Sequence, residues 1–386
     1  MSTDFDAITV EDLRAVGGLK WSAFPGTIGA WVAEMDFGAA EPVTAALHAA
    51  VDRGLFGYLP TAVAKDMSAA YAGWARERYG WDVPSRNVRA MADVLATLEM
   101  TITHFTAPGS PVILPTPAYM PFLTLPPALG REVIQVPLVV EEGRYVYDLD
   151  GVDAAFAADA GLLILCNPHN PVGRVLERAE MEAIAAVVDA HGGRVFSDEI
   201  HAPLVYPGRT HVPYASISAT TAAHTITATS ASKAWNLPGL KAAQAVLSNE
   251  ADRRRWTEVA TWAEHGAANL GVIANTAAYT DGGPWLARVL DYLDGNRRRL
   301  GELLAERIPE IGYTEPEGTY LAWLDCRALE LGDRPSEFFR AEAKVTMTDG
   351  VLCGGAGAGF ARFNFAMPRP VLEQAVDQMA EALARR

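Results

Sequence analysis

The chain has 386 residues, 50% of them hydrophobic, and a formal net charge of −15 at pH 7. A chain of this length and composition buries a large core, which excludes global disorder, and its negative charge argues against a nucleic-acid partner. Three cysteines far apart in sequence, with no C-x-x-C or H-E-x-x-H pattern, predict neither a disulfide framework nor a metal site. An acidic N-terminus and the lack of a long apolar run predict no signal peptide, no membrane span and a cytoplasmic location.

The predicted elements begin with a helix over residues 42–53, after a mixed N-terminal segment. A second helix, over 92–106, ends at Pro108-Gly109 and is followed by a strand at 112–114. Further short apolar strands are predicted at 132–136, 161–166, 194–197, 225–228 and 243–247, with helical segments such as 178–191 between several of them. Short apolar strands that alternate with helices are typical of a mostly parallel sheet.

The C-terminal third has a different pattern. Long helices are predicted at 252–279 and 284–308, then strands near 319–324 and 361–365 and helices at 336–344 and 370–385. We therefore predict an α/β protein whose large domain, residues 45–285, contains a mostly parallel sheet, and whose smaller α+β domain combines 1–44 with 286–386. The GGAGAG segment at 354–359 precedes a strand and no helix, so we interpret it as a flexible loop and not as a dinucleotide-binding turn.

Three short motifs lie where predicted strands end. The segment LLILCNPHNPVG carries Asn170, RVFSDEIH carries Asp198 and His201, and TITATSASKAW carries Ser230 and Lys233. Because the carboxyl ends of parallel strands meet at one edge of a sheet, and open α/β sheets bind their ligands there, we expect these side chains to lie together.

These residue types match the needs of pyridoxal 5'-phosphate (PLP). Lys233 supplies the amine that forms a Schiff base with the cofactor and later acts as a base, and Asp198 keeps the pyridine nitrogen protonated. Asn170, together with His201, is expected to hold the phenolic oxygen. The sequence therefore predicts a PLP site at this edge of the sheet.

The remaining parts of the cofactor and the substrate need their own partners. The start of the second helix offers free backbone N–H groups for the phosphate, and nearby side chains add to them. The candidates for the phosphate are Asp93, Val94, Leu95, Ser230 and Lys241. Tyr119 is predicted to stack on the pyridine ring, and Arg362 to bind the α-carboxylate of an amino-acid substrate.

Each of these residues also has a structural interpretation when it is taken singly. Asp198 fits a cap, Asn170 a turn and Lys233 a solvated side chain, although the three motifs together favour PLP. His201 and Tyr119 equally fit core positions. Alternatives for the two remaining cations are a surface charge at Lys241 and an ion pair at Arg362.

The resemblance to a known family extends over nearly the whole chain. The segments that carry it are WVAEMDF (31–37), FGYLP (56–60), PTPAYMPF, CNPHNPVGRV, SDEIHAPLV, SKAWNLPGLKAAQ, GTYLAWLD and ARFNFAMPR. The chain resembles the fold-type I PLP enzymes of the aminotransferase class I/II superfamily, specifically the cystathionine β-lyase (C–S lyase) branch of MalY and PatB type. The resemblance implies a PLP-dependent transferase-like fold and the same roles for the residues named above. It also implies a homodimer in which Tyr58 reaches the phosphate bound by the neighbouring subunit.

The function implied by this branch is an α,β-elimination. L-Cystathionine or a related S-substituted cysteine would yield a thiol such as homocysteine, with pyruvate and ammonia. A PLP-dependent aminotransferase remains an alternative, because it shares the early steps, and a regulatory interaction protein of MalY type is a second one. The expected partners are a small-molecule amino acid and a second copy of the chain.

Overall fold

The computed structural model describes residues 4–386. The strands of this part of the chain are β1 (Ile28–Gly29), β2 (Val88–Met91), β3 (Val112–Thr116), β4 (Val133–Pro137), β5 (Val139–Glu141), β6 (Arg144–Val146), β7 (Leu162–Cys166), β8 (Arg194–Asp198), β9 (Thr225–Thr229), β10 (Ala243–Leu247), β11 (Gly312–Tyr313), β12 (Leu321–Asp325), β13 (Val345–Thr346), β14 (Thr348–Asp349) and β15 (Phe360–Asn364). Its α-helices are α1 (Val10–Val16), α2 (Leu19–Ser22), α3 (Glu41–Asp52), α4 (Thr61–Tyr79), α5 (Val94–Phe105), α6 (Pro121–Ala128), α7 (Leu149–Ala157), α8 (Arg178–Ala190), α9 (Ala219–His224), α10 (Glu250–Val259), α11 (Thr261–Glu264), α12 (Asn269–Asp281), α13 (Gly283–Arg307), α14 (Pro335–Phe338) and α15 (Arg369–Ala384).

A seven-stranded sheet forms the centre of the molecule, in the order β2-β10-β9-β8-β7-β3-β4. The pairs that join β9, β8, β7, β3 and β4 are parallel, whereas β10 runs antiparallel to both of its neighbours. All five residues of β3, β7, β9 and β10 are buried, because helices cover both faces, with α5 and α10 on one and α7 and α8 on the other. The predicted α/β fold with a mostly parallel sheet is confirmed.

A smaller antiparallel sheet is formed by the C-terminal part of the chain, in the order β11-β12-β15-β14. Strand β1 of the N-terminal segment pairs in parallel with β13, which ties the two chain ends together. This pairing supports the proposed division into a large unit over 45–285 and a smaller one built from 1–44 and 286–386.

Two predicted helices are wrong as single helices. The stretch 252–279 is divided into α10, α11 and α12, because Ala268 has an extended backbone and its N–H donates to the carbonyl of Lys241, 3.0 Å away. The stretch 336–344 consists of the short α14 and a π-helical turn that ends before Lys344, which has a left-handed backbone. In the first case a tertiary contact overrides a helix-forming local sequence, and in the second the helical residues continue from 335 to 343 with a change of helix type.

The other predicted strands and helices are found, with ends that move by at most a few residues. Strand β2, at the edge of the large sheet, was missed, because four residues carry too little periodicity to be recognised. The glycine-rich segment leads into β15, as predicted, and contains a 3₁₀ turn at Gly355–Gly357. Between residues 4 and 386 the structure has no helix with both the length and the apolar character needed to cross a membrane.

Gly271→Ala is expected to lower the free energy of unfolding by about 1 to 3 kcal/mol. The added methyl group would overlap main-chain atoms, and the overlap can be relieved only by a shift of the main chain. Gly271 lies in α12, where an added Cβ would overlap the carbonyl oxygen of Leu240 and approach Ala242 Cβ at 3.0 Å. Gly73→Ala in α4 is the matched control, since an added Cβ there meets no atom within 4 Å. Urea titration of both variants checks the expectation, and equal stabilities would contradict it.

Candidate active site

The strand-end motifs meet at one edge of the large sheet. Cys166 pairs with Asp198 between β7 and β8, and Asp198 pairs with Ala228 between β8 and β9. Asn170 and Lys233 follow shortly after the ends of β7 and β9. The parallel register therefore brings the three motifs together at the carboxyl edge, where such sheets bind ligands.

Asp198 is a buried carboxylic acid at the end of β8, with 3% of its surface exposed. One carboxyl oxygen accepts a hydrogen bond from the N–H of Ile200 at 3.1 Å, and the other lies 4.0 Å from Cys166 Sγ. Burial raises the pKa of Asp198 to about 7, helped by the charge of Glu199 and opposed by the Ile200 N–H and by Lys233. A cationic nitrogen placed against this carboxyl would favour its ionised form.

Asp198→Asn is expected to remove a pH-dependent loss of stability from the cofactor-free protein. Between the unfolded pKa of 3.8 and the folded pKa of about 7, the folded chain holds a proton that the unfolded chain has released. Raising the pH from 5 to 8 therefore favours unfolding of the wild type. Between pH 5 and pH 8, urea titrations should show a larger fall in the free energy of unfolding for the wild type than for the variant. Equal falls would refute the raised pKa of Asp198.

Lys233 is partly buried beside the N-terminal segment, where its Nζ donates to the carbonyl of Ala33 at 3.0 Å. Burial and, to a smaller extent, the charge of Arg362 together lower the pKa of Lys233 to about 8, whereas Glu34 and Asp198 oppose the shift. An appreciable fraction of the amine is therefore neutral near pH 7 to 8. A neutral amine is the form that attacks a carbonyl or accepts a proton.

Arg362 lies on β15, with 2% of its surface exposed, and contacts the strand-end loops of the large sheet. Its guanidinium donates to Asn170 Oδ1 at 3.1 Å, to the carbonyl of Trp31 at 2.8 Å and to Thr348 Oγ1 at 3.3 Å. Its Nε is buried and has no hydrogen-bond partner in the described part of the chain. The ion pairs found over residues 4–386 do not include Arg362, so this buried cation suits an anionic ligand.

His201 is buried with its ring edge-on to Tyr320, the ring centroids being 6.0 Å apart. Burial and, to a smaller extent, the positive charges of Lys233 and Arg362 together lower its pKa to about 3, so the ring is neutral at pH 7. Its Nδ1 has no hydrogen-bond partner among residues 4–386. A buried ring nitrogen without a partner is costly unless a ligand binds to it.

Tyr119 follows β3 and packs edge-on against Phe122, with ring centroids 5.3 Å apart. Burial raises the pKa of its hydroxyl, Asp198 and Asp93 add to the rise, and Arg362 opposes it. The charges of these three side chains therefore reach the Tyr119 hydroxyl, which groups Tyr119 with the strand-end residues.

The start of α5 forms the end of the site that was predicted to bind phosphate. Asp93 caps the helix by accepting from the N–H of Ala96 at 2.9 Å, and its second oxygen pairs with Lys241 Nζ at 2.7 Å. Within residues 4–386, no acceptor contacts the N–H groups of Val94 and Leu95 outside the helix. Free N–H groups at a helix start bind anions, and the pairing of Asp93 with Lys241 removes most of the local negative charge.

Two of the residues predicted to bind phosphate, Ser230 and Tyr58, do not face the phosphate end of the site through free polar groups of a single chain. The hydroxyl of Ser230 donates to the carbonyl of Ala242 at 2.7 Å and accepts from the N–H of Ser232 at 3.0 Å, so it holds the turn before Lys233. Tyr58 is 94% exposed, and its hydroxyl forms no hydrogen bond with any residue from 4 to 386. Its predicted role involves a second subunit.

The N-terminal segment 31–36 contributes backbone groups that sequence reasoning missed. The carbonyl of Ala33 accepts from Lys233 and from the hydroxyl of Tyr320 at 2.8 Å, and Asn364 Nδ2 donates to the carbonyls of Val32 and Glu34 at 2.7 Å. A polar Asn364 within the buried strand FARFN was a signal for such a contact, whereas the carbonyls carry no side-chain signal. The segment therefore closes one side of the site.

The order of strands in the large sheet is that of the PLP-dependent transferase fold, and a lysine and an aspartate lie at its strand ends. The chain belongs to the aminotransferase class I and II family, whose sequence profile matches residues 32–379. The family predicted from the motifs is confirmed.

Relatives within this family cover more than nine tenths of the chain. A protein named cystathionine beta-lyase from Corynebacterium glutamicum is 38% identical and covers 97% of this chain and 99% of its own length. Cystathionine beta-lyase PatB of Bacillus subtilis (strain 168) is 33% identical, with 92% of each chain covered. A crystal structure described as a putative PLP-dependent beta-cystathionase from Corynebacterium diphtheriae has a TM-score of 0.92 and 40% identity, with 98% of each chain covered. The names of these relatives agree with the cystathionine β-lyase branch predicted from the motifs.

Proposed function

We propose that this chain is a PLP-dependent carbon–sulfur β-lyase, which cleaves L-cystathionine or related S-substituted cysteines to a thiol, pyruvate and ammonia. The observation that carries the proposal is the convergence of Lys233, Asp198 and Arg362, three groups with shifted pKa values, at the carboxyl edge of the sheet. The full-length similarity to proteins named cystathionine beta-lyase supports it.

The residues present fit PLP. The free N–H groups at the start of α5 suit its phosphate, and the unpaired Nδ1 of His201, with Asn170 in the strand-end loop after β7, suits its phenolic oxygen. Asp198 would pair with the ring nitrogen, Tyr119 would cover the ring and Lys233 would hold the cofactor covalently. When bound, PLP stabilises the negative charge that develops on the substrate α-carbon.

The chain's own residues account for substrate orientation and proton transfer. The guanidinium of Arg362 would bind the α-carboxylate. Asn170 Oδ1, which accepts from this guanidinium at 3.1 Å, would fix the orientation of the guanidinium. The Lys233 amine, with a pKa of about 8, would take the α-proton. The Cβ–S bond then breaks, the thiolate leaves with the electron pair, and the remaining enamine adds water to give pyruvate and ammonia.

Product analysis without a 2-oxo acid acceptor tests the reaction. Purified PLP-loaded protein is expected to release pyruvate and free thiol from L-cystathionine over many turnovers. An aminotransferase stops after one turnover without an acceptor, because its cofactor must be regenerated. A single turnover would favour that alternative, and turnover with another S-substituted cysteine would identify the preferred leaving group.

We also propose a homodimer in which Tyr58 completes the phosphate site of the second subunit. Tyr58, Phe56 and Trp262 are 94, 68 and 83% exposed, and Asn269 Nδ2 holds the loop that carries the first two through the carbonyl of Gly57 at 2.6 Å. Large exposed aromatic side chains on a fixed loop are typical of an interface.

Mixing two inactive variants is expected to restore activity if the site is shared. A hybrid of Tyr58→Ala and Lys233→Ala subunits has one site with both groups intact, so random reassortment should give about a quarter of wild-type activity in a closed dimer. Light scattering measures the oligomeric state alongside. Lack of complementation in a proven hybrid would contradict the assignment of Tyr58.

A cytoplasmic location is proposed on the basis of the cysteines. Cys166, Cys326 and Cys353 are buried and form no disulfide in the structure of residues 4–386. Buried free thiols suit a reducing compartment.

A further inference from the structure

The turn that leads from β9 to Lys233 rests on a buried amide side chain that the proposed mechanism does not use. Asn275 lies in α12, with 1% of its surface exposed. Its Oδ1 accepts a hydrogen bond from the N–H of Ala231 at 3.0 Å and lies 3.5 Å from Ser230 Oγ. Asn275 therefore contacts the first two residues after β9, and the second of these precedes Lys233 by two positions.

Further buried groups fix the orientation of this amide. Gln244 Nε2, on β10, donates to Asn275 Oδ1 at 3.2 Å, and the hydroxyl of Tyr279 donates to Gln244 Oε1 at 2.9 Å. Asn275 Nδ2 donates to the carbonyl of Gly271, one turn earlier in α12, at 2.9 Å. Gln244 and Tyr279 are 0 and 5% exposed, so these bonds form in an interior of low dielectric constant, where a fully bonded network is rigid. Asn275 Oδ1 is therefore held facing the N–H of Ala231.

Helix packing by itself does not require an amide at position 275. Apart from Asn275 and Tyr279, the buried residues of α12 are glycine, alanine and valine, and a buried amide costs free energy unless it is hydrogen-bonded. The close approach at Gly271, where an added Cβ would overlap the carbonyl oxygen of Leu240, brings Asn275 within reach of the turn before Lys233. A locally unfavourable residue that is bonded in this way is typical of a functional site.

The peptide groups on either side of Ala231 carry this restraint to the lysine. The N–H of Ala231 is held by Asn275 at 3.0 Å, and its carbonyl accepts from the N–H of Trp235 at 2.9 Å. Lys233 lies between these two bonds in sequence, and its Nζ donates to the carbonyl of Ala33 at 3.0 Å. A change in the direction of the Ala231 peptide therefore moves the Lys233 amine.

We propose that Asn275 is a positioning residue for the reactive lysine: by holding the N–H of Ala231, it keeps the Lys233 amine aimed at the cofactor aldehyde and then at the substrate α-proton. The inference rests on the proposed function and adds to it a residue that touches neither cofactor nor substrate. A displacement of a reacting group by about 1 Å costs roughly 100-fold in rate, so the loss of this one bond should slow the reactions of the amine.

The test measures the rate at which PLP becomes covalently attached to the cofactor-free protein, by visible absorbance and by mass spectrometry after borohydride reduction. Asn275→Leu keeps the volume and removes the acceptor, and should slow attachment by about 10- to 100-fold. In Asn275→Asp the buried carboxyl stays protonated, so it still accepts from Ala231 and donates to Gly271, and the rate should be close to that of the wild type. Asn275→Ala, which cannot overpack, takes the place of the leucine variant if that variant does not fold.

Asn296→Leu is the matched control, since it removes a second buried asparagine. Asn296 lies in α13, is 0% exposed, and donates to the carbonyls of Phe365 and Met367 at 3.1 and 2.8 Å. Its substitution should lower the free energy of unfolding, measured in urea, as Asn275→Leu does, and should leave the rate of PLP attachment unchanged.

Two outcomes overturn the inference. Equal slowing in Asn275→Leu and Asn296→Leu would mean that lost stability alone explains the effect. A wild-type rate in folded Asn275→Leu would mean that the turn before Lys233 holds its shape without the amide. If the wild-type protein attaches PLP and releases no thiol from L-cystathionine, the proposed function fails, while the attachment rates still decide the role of Asn275.

Discussion

Lys233→Ala is expected to abolish covalent attachment of PLP and to lower kcat/KM for L-cystathionine by about 10³- to 10⁴-fold, the upper range for a positioned base that also holds the cofactor. The side chain is partly buried, its amine is held 3.0 Å from the Ala33 carbonyl, and burial lowers its pKa to about 8. No neighbouring amine replaces it, because Lys241 is committed to Asp93 at the other end of the site. Mass spectrometry after borohydride reduction and initial rates of pyruvate release measure the two effects.

Lys65→Ala is the matched control for this experiment. Lys65 is an exposed lysine of α4. The Lys65→Ala variant should therefore keep both the covalent attachment of PLP and the wild-type rate of pyruvate release. Borohydride-stable labelling of the Lys233→Ala protein at another lysine would contradict the assignment. Retention of a high rate without labelling would refute the base role.

Lys20→Met should lower the free energy of unfolding by about 3 to 5 kcal/mol, the cost of leaving one charge of a buried ion pair unpaired. Lys20 and Asp36 are 2 and 5% exposed and 2.8 Å apart. Lys20 also donates to the carbonyl of Ala366, and Trp21 Nε1 donates to Asp36 at 2.8 Å, so the pair ties the N-terminal segment to the end of the chain. Urea unfolding of the cofactor-free protein measures the change.

An exposed ion pair and a double variant provide the controls. Arg178 and Glu182 are 51 and 54% exposed in their side chains, so Arg178→Ala should change stability by less than about 1 kcal/mol. Replacing both Lys20 and Asp36 by Met and Leu should recover much of the loss, since no buried charge remains unpaired. A Lys20→Met protein as stable as the wild type would show that water reaches Asp36.

Much of the large sheet was predictable because its strands are short, apolar and fully buried. The predicted strands at 161–166 and 194–197 correspond to β7 and β8. Asp198 is the last residue of β8, and Asn170 and Lys233 follow the ends of β7 and β9. Their convergence follows from parallel register, which the pattern of strands and helices already implies. The long helix over 252–279 failed as a prediction because the Ala268 N–H bonds to Lys241, a contact between residues far apart in sequence.

The sequence by itself determined the sheet class, the strand-end motifs and the family, since these depend on side-chain identity and on periodic burial. Only the tertiary structure decided what the N-terminal segment does. Its carbonyls at Trp31 and Ala33 bind Arg362 and Lys233, and every residue type offers the same carbonyl, so no sequence pattern distinguishes them. The pairing of Asp93 with Lys241 was decided in the same way, because two charges 148 positions apart pair only when the fold brings them together.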